Sequence, residues 1–254
     1  TTTQLGGLLS ARLGALTTTQ MYALTTTQVG ALTTTQVDGL TSVQLGALST
    51  AQVKGLTSTQ VSSLSDTQLD GVTSAQILNL TTTQLGGLLS GQLSGLTTTQ
   101  LAGLGSTQVT ALTSTQVDGL GSVALGAFTT AQVKGLTSTV LASLADTQLD
   151  GLTSTQIVGF VTTQLRGLSS DQLTGLTTTQ LGGLASSQIS GMTTTQVAGL
   201  STTQISAMTS TQVKGLSSTV LAAMSVAQVV ALAAGSFSTS QVLALTSTQI
   251  ATLT

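Results

Sequence analysis

The sequence predicts an all-α solenoid of short capped helices, with one helix in each octapeptide repeat. Three observations predict it. The chain divides without a gap into octapeptides (octads) from residue 1 to residue 232. Position 4 of the octad is Gln in 27 of 31 repeats, and position 5 is always Val, Leu, Ile or Met. Position 1 is Ser or Thr in most octads, which places a hydroxyl three residues before the Gln.

The octads fall into three stretches. Residues 1–232 hold 29 octads, residues 233–237 are a five-residue insertion, and residues 238–254 hold two further octads and one Thr. We therefore expect an uninterrupted solenoid over 1–232, an insertion at 233–237, and two more repeats of the same solenoid over 238–254. Because the chain starts and stops inside the pattern, we expect it to be a section of a longer protein.

Each octad carries the signals of a short helix. The pattern T-x-x-Q is a capping box, in which Thr is the N-cap and Gln at N3 reaches back to the N-cap amide. Gly or Ala at position 7 suits the end of a helix, and Ala is too common there for a positive φ to be required. Asp66 and Asp146 at position 2, Asp171 at position 3 and the charges at position 6 share one helical face. Positions 1, 5 and 8 form the opposite face.

A second period, two octads long, lies beneath the first. Eight of the twelve charged residues stand at position 6, and all eight are in odd-numbered octads. We therefore predict that one coil contains two octads (sixteen residues), so that equivalent residues of alternate octads stack on neighbouring coils and alternate in charge. Exposed ion pairs of this kind contribute only ~0–1 kcal/mol each. The eight residues are Asp38, Lys54, Asp70, Asp118, Lys134, Asp150, Arg166 and Lys214.

The alternative fold is a β-solenoid, also with two octads per coil. Thr and Val favour strands, and a coil of two octads is similar in length to the coils of ice-nucleation proteins. In that fold the Thr-x-Thr rows would form a flat face able to bind ice or another surface. Strict alternation fits poorly, however, because positions 2 and 3 both accept Asp and would face opposite sides of a strand.

The composition excludes most kinds of metal-binding and catalytic site. The chain has no His, Cys, Pro or Trp, so the usual zinc, haem and Ser-His-Asp sites cannot be built. We predict no catalytic, cofactor-binding or metal-binding residues and no enzyme activity. Five dispersed basic residues predict no nucleic-acid partner. No run of 18 apolar residues occurs, which predicts no membrane insertion, and nothing indicates a small-molecule substrate.

Four groups of residues are candidates for a specific role. Gln at position 4 could be a transglutaminase-type acceptor or a stacked ladder, although a capping role is favoured. The Thr-x-Thr pairs, such as Thr33 with Thr35, are interpreted as N-cap and first-turn residues. Asp66 with Asp70, and Asp146 with Asp150, have the i,i+4 spacing of a possible Ca²⁺ site, but solvated carboxylates are favoured. Arg12, which replaces Gln, is interpreted as tolerated variation.

Position 6 of the even octads predicts self-association. It is small and uncharged in most cases, so another backbone could approach it closely, and the chain has few charges to oppose contact. We therefore expect copies of the chain itself as the partner. The residues are Gly14, Gly30, Gly46, Ser62, Ser94, Thr110, Gly126, Ala142, Thr174, Ser190, Ser206 and Ala222, with Leu78 and Val158 as larger exceptions.

In its monotonous octads the whole chain resembles the very long tandem-repeat proteins of bacterial surfaces and filaments. The resemblance implies an extracellular or cell-surface fibre, stalk or spacer that self-associates, and the absence of Cys fits such a location. The alternatives are the spacer region of a giant adhesin and the ice- or surface-binding β-solenoid. Each octad also resembles the LTxxQV opening of a TAL-effector helix, but the rest of that unit is missing and no DNA reading follows.

Overall fold

A computed structural model describes residues 1–232 and 237–253, in which all regular structure is helical. The chain divides into two compact units, Thr1–Gly135 and Leu136–Thr254. Unit 1 contains α1 (Thr2–Gly6), α2 (Ser10–Gly14), α3 (Thr18–Tyr22), α4 (Thr26–Gly30), α5 (Thr34–Asp38), α6 (Ser42–Ala47), α7 (Thr50–Gly55), α8 (Ser58–Ser63), α9 (Asp66–Leu69), α10 (Ser74–Asn79), α11 (Thr82–Gly87), α12 (Ser90–Gly95), α13 (Thr98–Ala102), α14 (Ser106–Thr110), α15 (Ser114–Asp118), α16 (Ser122–Gly126) and α17 (Thr130–Gly135).

Unit 2 contains α18 (Ser138–Ser143), α19 (Asp146–Leu149), α20 (Ser154–Val158), α21 (Thr162–Gly167), α22 (Ser170–Gly175), α23 (Thr178–Gly182), α24 (Ser186–Ser190), α25 (Thr194–Gly199), α26 (Thr202–Ser206), α27 (Ser210–Gly215), α28 (Ser218–Ala223), α29 (Val226–Ala231), α30 (Thr239–Val242) and α31 (Ser247–Ile250). The predicted helical solenoid, with one helix per octad, is confirmed. The β-solenoid is wrong, since the described part of the chain contains no strand.

Octad 7 shows how eight residues make one helix and one link. Ser49 is extended at φ −65° and ψ 157°, and the Val53 N–H donates to its carbonyl at 3.0 Å. Leu56 is extended again at φ −63° and ψ 144°, and its N–H donates to the Val53 carbonyl at 3.1 Å. Positions 8 and 1 are therefore two consecutive extended residues, which redirect the chain into the next helix.

The helices pack on partners three octads along the chain. In unit 1, α4 packs on α7, α8 on α11, and α14 on α17. In unit 2, α18 packs on α21, α22 on α25, and α24 on α27. Hydrogen bonds from Gln side chains reach residues four octads earlier, as from Gln84 to Leu56. Within each unit one coil therefore contains between three and four octads.

The predicted coil of two octads is wrong. A coil of two octads would pack each helix on the helix two octads along the chain, whereas the packed helices stand three octads apart. Asp38, Lys54 and Asp70 are exposed, as predicted, but they stand two octads apart and the packed helices stand three apart. These charges therefore do not form a column on adjacent coils.

The period of two octads is instead an alternation of two packing environments. A Cβ added to Gly14 or Gly30, at position 6 of even octads, would lie 2.6 Å from the carbonyl oxygen of Gly39 or Gly55, in the octad three places later. A Cβ added to Gly86, at position 6 of an odd octad, would have nothing within 4 Å. Odd octads can therefore carry large charged side chains at position 6, and most even octads cannot.

This alternation removes one reason for predicting self-association, the open space expected beside position 6 of the even octads. The backbone that approaches position 6 of the even octads belongs to the same chain. At Thr174 the hydroxyl donates to the Gly199 carbonyl at 3.0 Å, again in the octad three places later. These small residues serve packing within each unit, so they do not by themselves provide a surface for a second copy.

The alternation predicts an unusual result for deletions. In the unmodified chain Gly39 and Gly55 lie against α2 and α4. Removing one octad, residues 33–40, would bring Ala47 and Ser63 to those two places. Removing two octads, residues 33–48, restores Gly at both places through Gly55 and Gly71. We expect the two-octad deletion to lower the urea unfolding midpoint less than the one-octad deletion, although it removes more chain. An equal or larger loss for the longer deletion would contradict the alternation.

The core lies on positions 4, 5 and 8. Position 5 residues such as Val37 and Leu85 are fully buried, and position 8 residues such as Leu40 and Leu88 are 3% exposed. The expected face of positions 1, 5 and 8 is therefore partly wrong. Position 1 stays mostly exposed, because its hydroxyl caps a helix at the surface, and the Gln at position 4 takes its place in the interior.

The spacing of the Gln hydrogen bonds shortens by three residues across the insertion. Elsewhere the Gln amide reaches carbonyls 31 and 28 residues earlier, as from Gln228 to Val197 and Leu200. Gln241 reaches Val213 and Leu216, which are 28 and 25 residues earlier. The shortfall of three residues is the difference between an octad and the five-residue insertion. Residues 233–236, most of the predicted insertion at 233–237, and the last residue of the predicted 238–254 repeats lie outside the described residues.

Candidate functional site

The Gln at position 4 is the capping residue that the sequence predicts. In octad 11 the Thr81 N–H donates to Gln84 Oε1 at 2.8 Å, and the Gln84 N–H donates to Thr81 Oγ1 at 3.1 Å. These two bonds satisfy two of the amide groups that a helix start leaves free. They also fix the side chain so that its amide nitrogen faces away from its own helix.

The same side chain forms a second set of bonds that sequence reasoning missed. Gln84 Nε2 donates to the carbonyls of Val53 at 2.9 Å and Leu56 at 2.6 Å. The Leu56 carbonyl follows the last turn of α7 and has no partner inside that helix. Gln84 is only 3% exposed, so both amide hydrogens are used in the interior. One side chain thus caps its own helix and closes the end of another.

This link repeats through both units. The Gln amide donates to the carbonyl of position 8 four octads earlier, and in most cases to that of position 5 as well. Gln241 and Gln249, which follow the insertion, reach the carbonyls of octads three earlier. We name this contact the amide link. In unit 1 it is made by Gln36, Gln44, Gln52, Gln60, Gln68, Gln76, Gln84, Gln92, Gln100, Gln108, Gln116 and Gln132, and in unit 2 by Gln164, Gln172, Gln180, Gln188, Gln196, Gln204, Gln212, Gln228, Gln241 and Gln249.

A signal for this second role was present in the sequence. A capping box accepts Glu or Gln at N3 with equal ease, because either side chain offers an oxygen to the N-cap amide. The chain uses Gln at 27 positions and contains no Glu at all. Only the amide can donate to carbonyl oxygens, so the exclusive use of Gln indicates donors as well as acceptors.

The four exceptions to Gln are Arg12, Ala124, Val140 and Val220. Ala124 follows the N-cap Gly121, which has no side chain to accept a hydrogen bond. Arg12 belongs to the first four octads, which have no octad four positions earlier in this chain, and its side chain is exposed. Gln4 and Gln20, in the same group of octads, are also exposed. Val140 and Val220 are buried at 4% exposure and keep only the hydroxyl cap, with their N–H groups bonded to Thr137 and Ser217. The interpretation of Arg12 as tolerated variation stays a prediction.

The Thr-x-Thr motif has the predicted local role. Thr33 Oγ1 accepts from the Gln36 N–H at 3.2 Å, and Thr35 lies exposed in the first turn of α5. Because the octads are helical, successive Thr residues do not form the flat strand face on which the ice- or surface-binding β-solenoid depended. That alternative is wrong as a β-solenoid.

The paired carboxylates are exposed. Asp66 and Asp146 stand in the first turns of α9 and α19, and Asp70 and Asp150 are the C-cap residues of the same helices. Across residues 1–232 and 237–253, no cluster of three or more Asp, Glu, His or Cys residues could hold a metal ion. Within the same ranges, none of the helices has the length and apolar character needed to cross a bilayer.

Seven octads lack the N-cap hydroxyl, and each of them makes at most one of the two hydrogen bonds of a capping box. At Ala185 the N–H still donates to Gln188 Oε1 at 2.7 Å, but no side chain accepts from the Gln188 N–H. We expect Ala185→Ser to raise the free energy of unfolding by about 0.5–2 kcal/mol, because it completes the box. Urea denaturation measures this. Ala185→Val, which adds bulk without a hydroxyl, is the control and should give no such gain. The seven N-caps are Leu9, Leu89, Gly105, Gly121, Ala145, Val161 and Ala185.

A family model described as the ALTTAQ repeat matches the chain at residues 1–34, 22–50, 87–122 and 183–218. Its name corresponds to positions 7, 8, 1, 2, 3 and 4 of the octad, as in ALTTTQ at residues 23–28. The chain is a tandem-repeat protein. The matched stretches cover just under half of this tandem-repeat protein and occur in both units. No curated protein matches the chain.

Proposed function

We propose that this tandem-repeat protein is structural and forms a section of an extended extracellular fibre, stalk or spacer. The observation that carries the proposal is the amide link, which joins an octad to the octad four places earlier through backbone carbonyls, as Gln76 does with Leu45 and Leu48. An array built this way can be lengthened by adding octads, since each new octad brings both the cap for its own helix and the link to the octad four places earlier.

The polar interior supports the same proposal. The interior Gln side chains are buried and their amide groups are bonded to the backbone, so the residue that recurs in nearly every octad joins the octads to one another. The charged residues stand on exposed positions such as Asp38 and Lys54, where they favour solubility. Self-association into filaments and a location outside the cell complete the proposal, and both are supported by the few charges and the absence of Cys.

The test measures length against the number of octads. Chains with two, four or six octads removed or duplicated within unit 1 are compared by electron microscopy and small-angle scattering as single molecules. A structural spacer requires the maximum dimension to change by a constant step for every two octads. A compact particle whose dimension does not follow octad number would overturn the proposal. Labelling of intact cells with an antibody to the chain tests the extracellular location.

A further inference from the structure

Charged residues at position 6 recur at an interval of ten octads. Lys54 and Lys134 are 80 residues apart, and so are Asp38 and Asp118. All four side chains are exposed. Packing within the chain does not require this interval, because the open environment at position 6 returns every two octads. A Cβ added to Gly86, for example, would have nothing within 4 Å, although no charge stands there. The interval of ten octads is therefore a property of the surface.

In unit 1 the octads of the two Lys residues are stacked. The helix α7, which contains Lys54, packs on α10, and α10 packs on α13. Gln132, in the same octad as Lys134, donates to the carbonyls of Leu101 and Leu104 in the octad of α13, at 2.7 and 2.8 Å. Two of these steps span three octads, less than a full coil, and one spans four octads, more than a full coil. The shortfall and the excess offset each other, so Lys54 and Lys134 lie on one face. We name these two residues the basic row.

The two Asp residues of unit 1 are joined by the same three steps. The helix α5, which contains Asp38, packs on α8, and α8 packs on α11. Gln116, in the same octad as Asp118, donates to the carbonyls of Leu85 and Leu88 in the octad of α11, at 2.9 and 2.8 Å. We name Asp38 and Asp118 the acidic row. Its spacing along the solenoid equals that of the basic row, because the steps are the same.

The two rows lie on different sides of unit 1. Lys54 follows Asp38 by two octads, and one coil contains between three and four octads. Half to two thirds of a coil therefore separates the rows. Each row carries charge of one sign only, so unit 1 has a basic side and an acidic side. One copy thus presents its basic row to one neighbour and its acidic row to another.

We propose that copies of this chain lie side by side, with the basic row of one copy on the acidic row of the next. Equal spacing brings both Lys residues onto both Asp residues at once. An exposed ion pair contributes little by itself, so the gain comes from forming two pairs in a single register. The proposal rests on the structural function above and names the surface through which the copies associate.

The other charges of unit 1 leave this contact undisturbed. Only Arg12, Asp66 and Asp70 stand outside the two rows, so four of its seven charged side chains belong to them. The uncharged remainder of the surface offers little electrostatic resistance to a neighbour. Because the contact joins two different sides of the molecule, it is not self-complementary, and it continues from copy to copy without stopping at a dimer.

The test neutralises the basic row and compares it with the same change of charge elsewhere. Lys54→Gln with Lys134→Gln lowers the net charge by two, from −2 to −4. Gly6→Asp with Gly86→Asp lowers it equally, also at position 6 of octads ten apart, where a Cβ has nothing within 4 Å. Sedimentation velocity of the 254-residue chain at low ionic strength should show association that grows with concentration. We expect the Lys variant to raise the dissociation constant about 10-fold and the Gly control to associate much like the unmodified chain.

An exchange of the two rows supplies the rescue. Lys54→Asp with Lys134→Asp makes both rows acidic and should abolish association. Adding Asp38→Lys with Asp118→Lys exchanges the rows, returns the net charge to −2 and should restore association. Raising the ionic strength from about 0.05 M to about 0.5 M should weaken association of the unmodified and row-exchanged chains alike. Circular dichroism should show equal helix content in all variants, because the four positions are exposed.

Four results would overturn the proposal: an unmodified chain that stays monomeric at every concentration, a Lys→Gln variant that associates as well as the unmodified chain, a Gly control that loses association equally, or a row-exchanged chain that does not regain it. Binding of the chain to phosphatidylserine vesicles without association between copies would also overturn it, since the basic row would then serve a lipid surface. The proposed function is tested separately. If single molecules lengthen with octad number while the unmodified chain stays monomeric, the structural function stands and the contact between rows fails.

Discussion

Replacing one interior Gln by Met should be among the most damaging single substitutions in this chain. Gln84→Met keeps the volume and flexibility of the side chain but removes both its acceptor and its donors. The Thr81 N–H and the Leu56 carbonyl then lose their partners at buried or partly buried positions. An unsatisfied buried group costs about 1–3 kcal/mol, so we expect a loss of about 3–5 kcal/mol in the free energy of unfolding. Urea denaturation of unit 1 measures it.

Gln20→Met is the matched control for this prediction. Gln20 has the same capping box, with the Thr17 N–H on its Oε1 at 2.9 Å, but its side chain is exposed and makes no amide link. Losing the box alone should cost about 0.5–2 kcal/mol. The difference between the two variants isolates the amide link. Equal losses would mean that Gln stabilises the octads as a cap only.

Two Gly→Ala substitutions at the same octad position should change stability in opposite directions. Gly46 and Gly86 are both the residue before the last in a six-residue helix. A Cβ at position 46 would lie 2.6 Å from the Gly71 carbonyl oxygen, whereas one at position 86 would have nothing within 4 Å. We expect Gly46→Ala to destabilise by about 1–3 kcal/mol through overpacking. Gly86→Ala should stabilise by about 0.5–1 kcal/mol through helix propensity.

The sign of each effect is the decisive measurement. Urea unfolding midpoints of the two variants should fall on opposite sides of the unmodified chain. A gain for both would mean that octads 6 and 9 do not approach closely, and the steric explanation of the alternation would then be wrong. Hydrogen exchange at the amides of α6 and α9 should show whether the loss at Gly46 is local to this pair of helices.

The octad itself could be predicted almost completely from the sequence. Thr81 and Gln84 have the spacing of a capping box, and the structure shows both bonds of that box. Position 5 and position 8 were predicted to be apolar anchors, and residues such as Leu85 and Leu88 are buried. These features depend on contacts within a single octad, where the pattern of side chains and the covalent geometry of a helix fix each other.

The coil could not be predicted in the same way. The period of two octads was correctly read from Asp38, Lys54 and their equivalents, but a period in sequence does not state which octads are neighbours in space. Two arrangements produce it: a coil of two octads, and a coil of three to four octads in which even octads pack closely on odd ones. The packing of each helix on the helix three octads along the chain decides between them, and that contact joins residues far apart in the sequence.

The sequence by itself therefore determined the helical octad, its caps, its apolar anchors and the existence of two alternating environments. Tertiary structure alone decided that the interior Gln side chains are buried, that their amides close helices four octads earlier, and that the small residues at even positions lie against the chain's own backbone three octads later. The physical reason is the separation along the chain of the groups that interact. Capping joins groups three residues apart, whereas the amide link and the close approach at glycine join groups that only the path of the folded chain brings together.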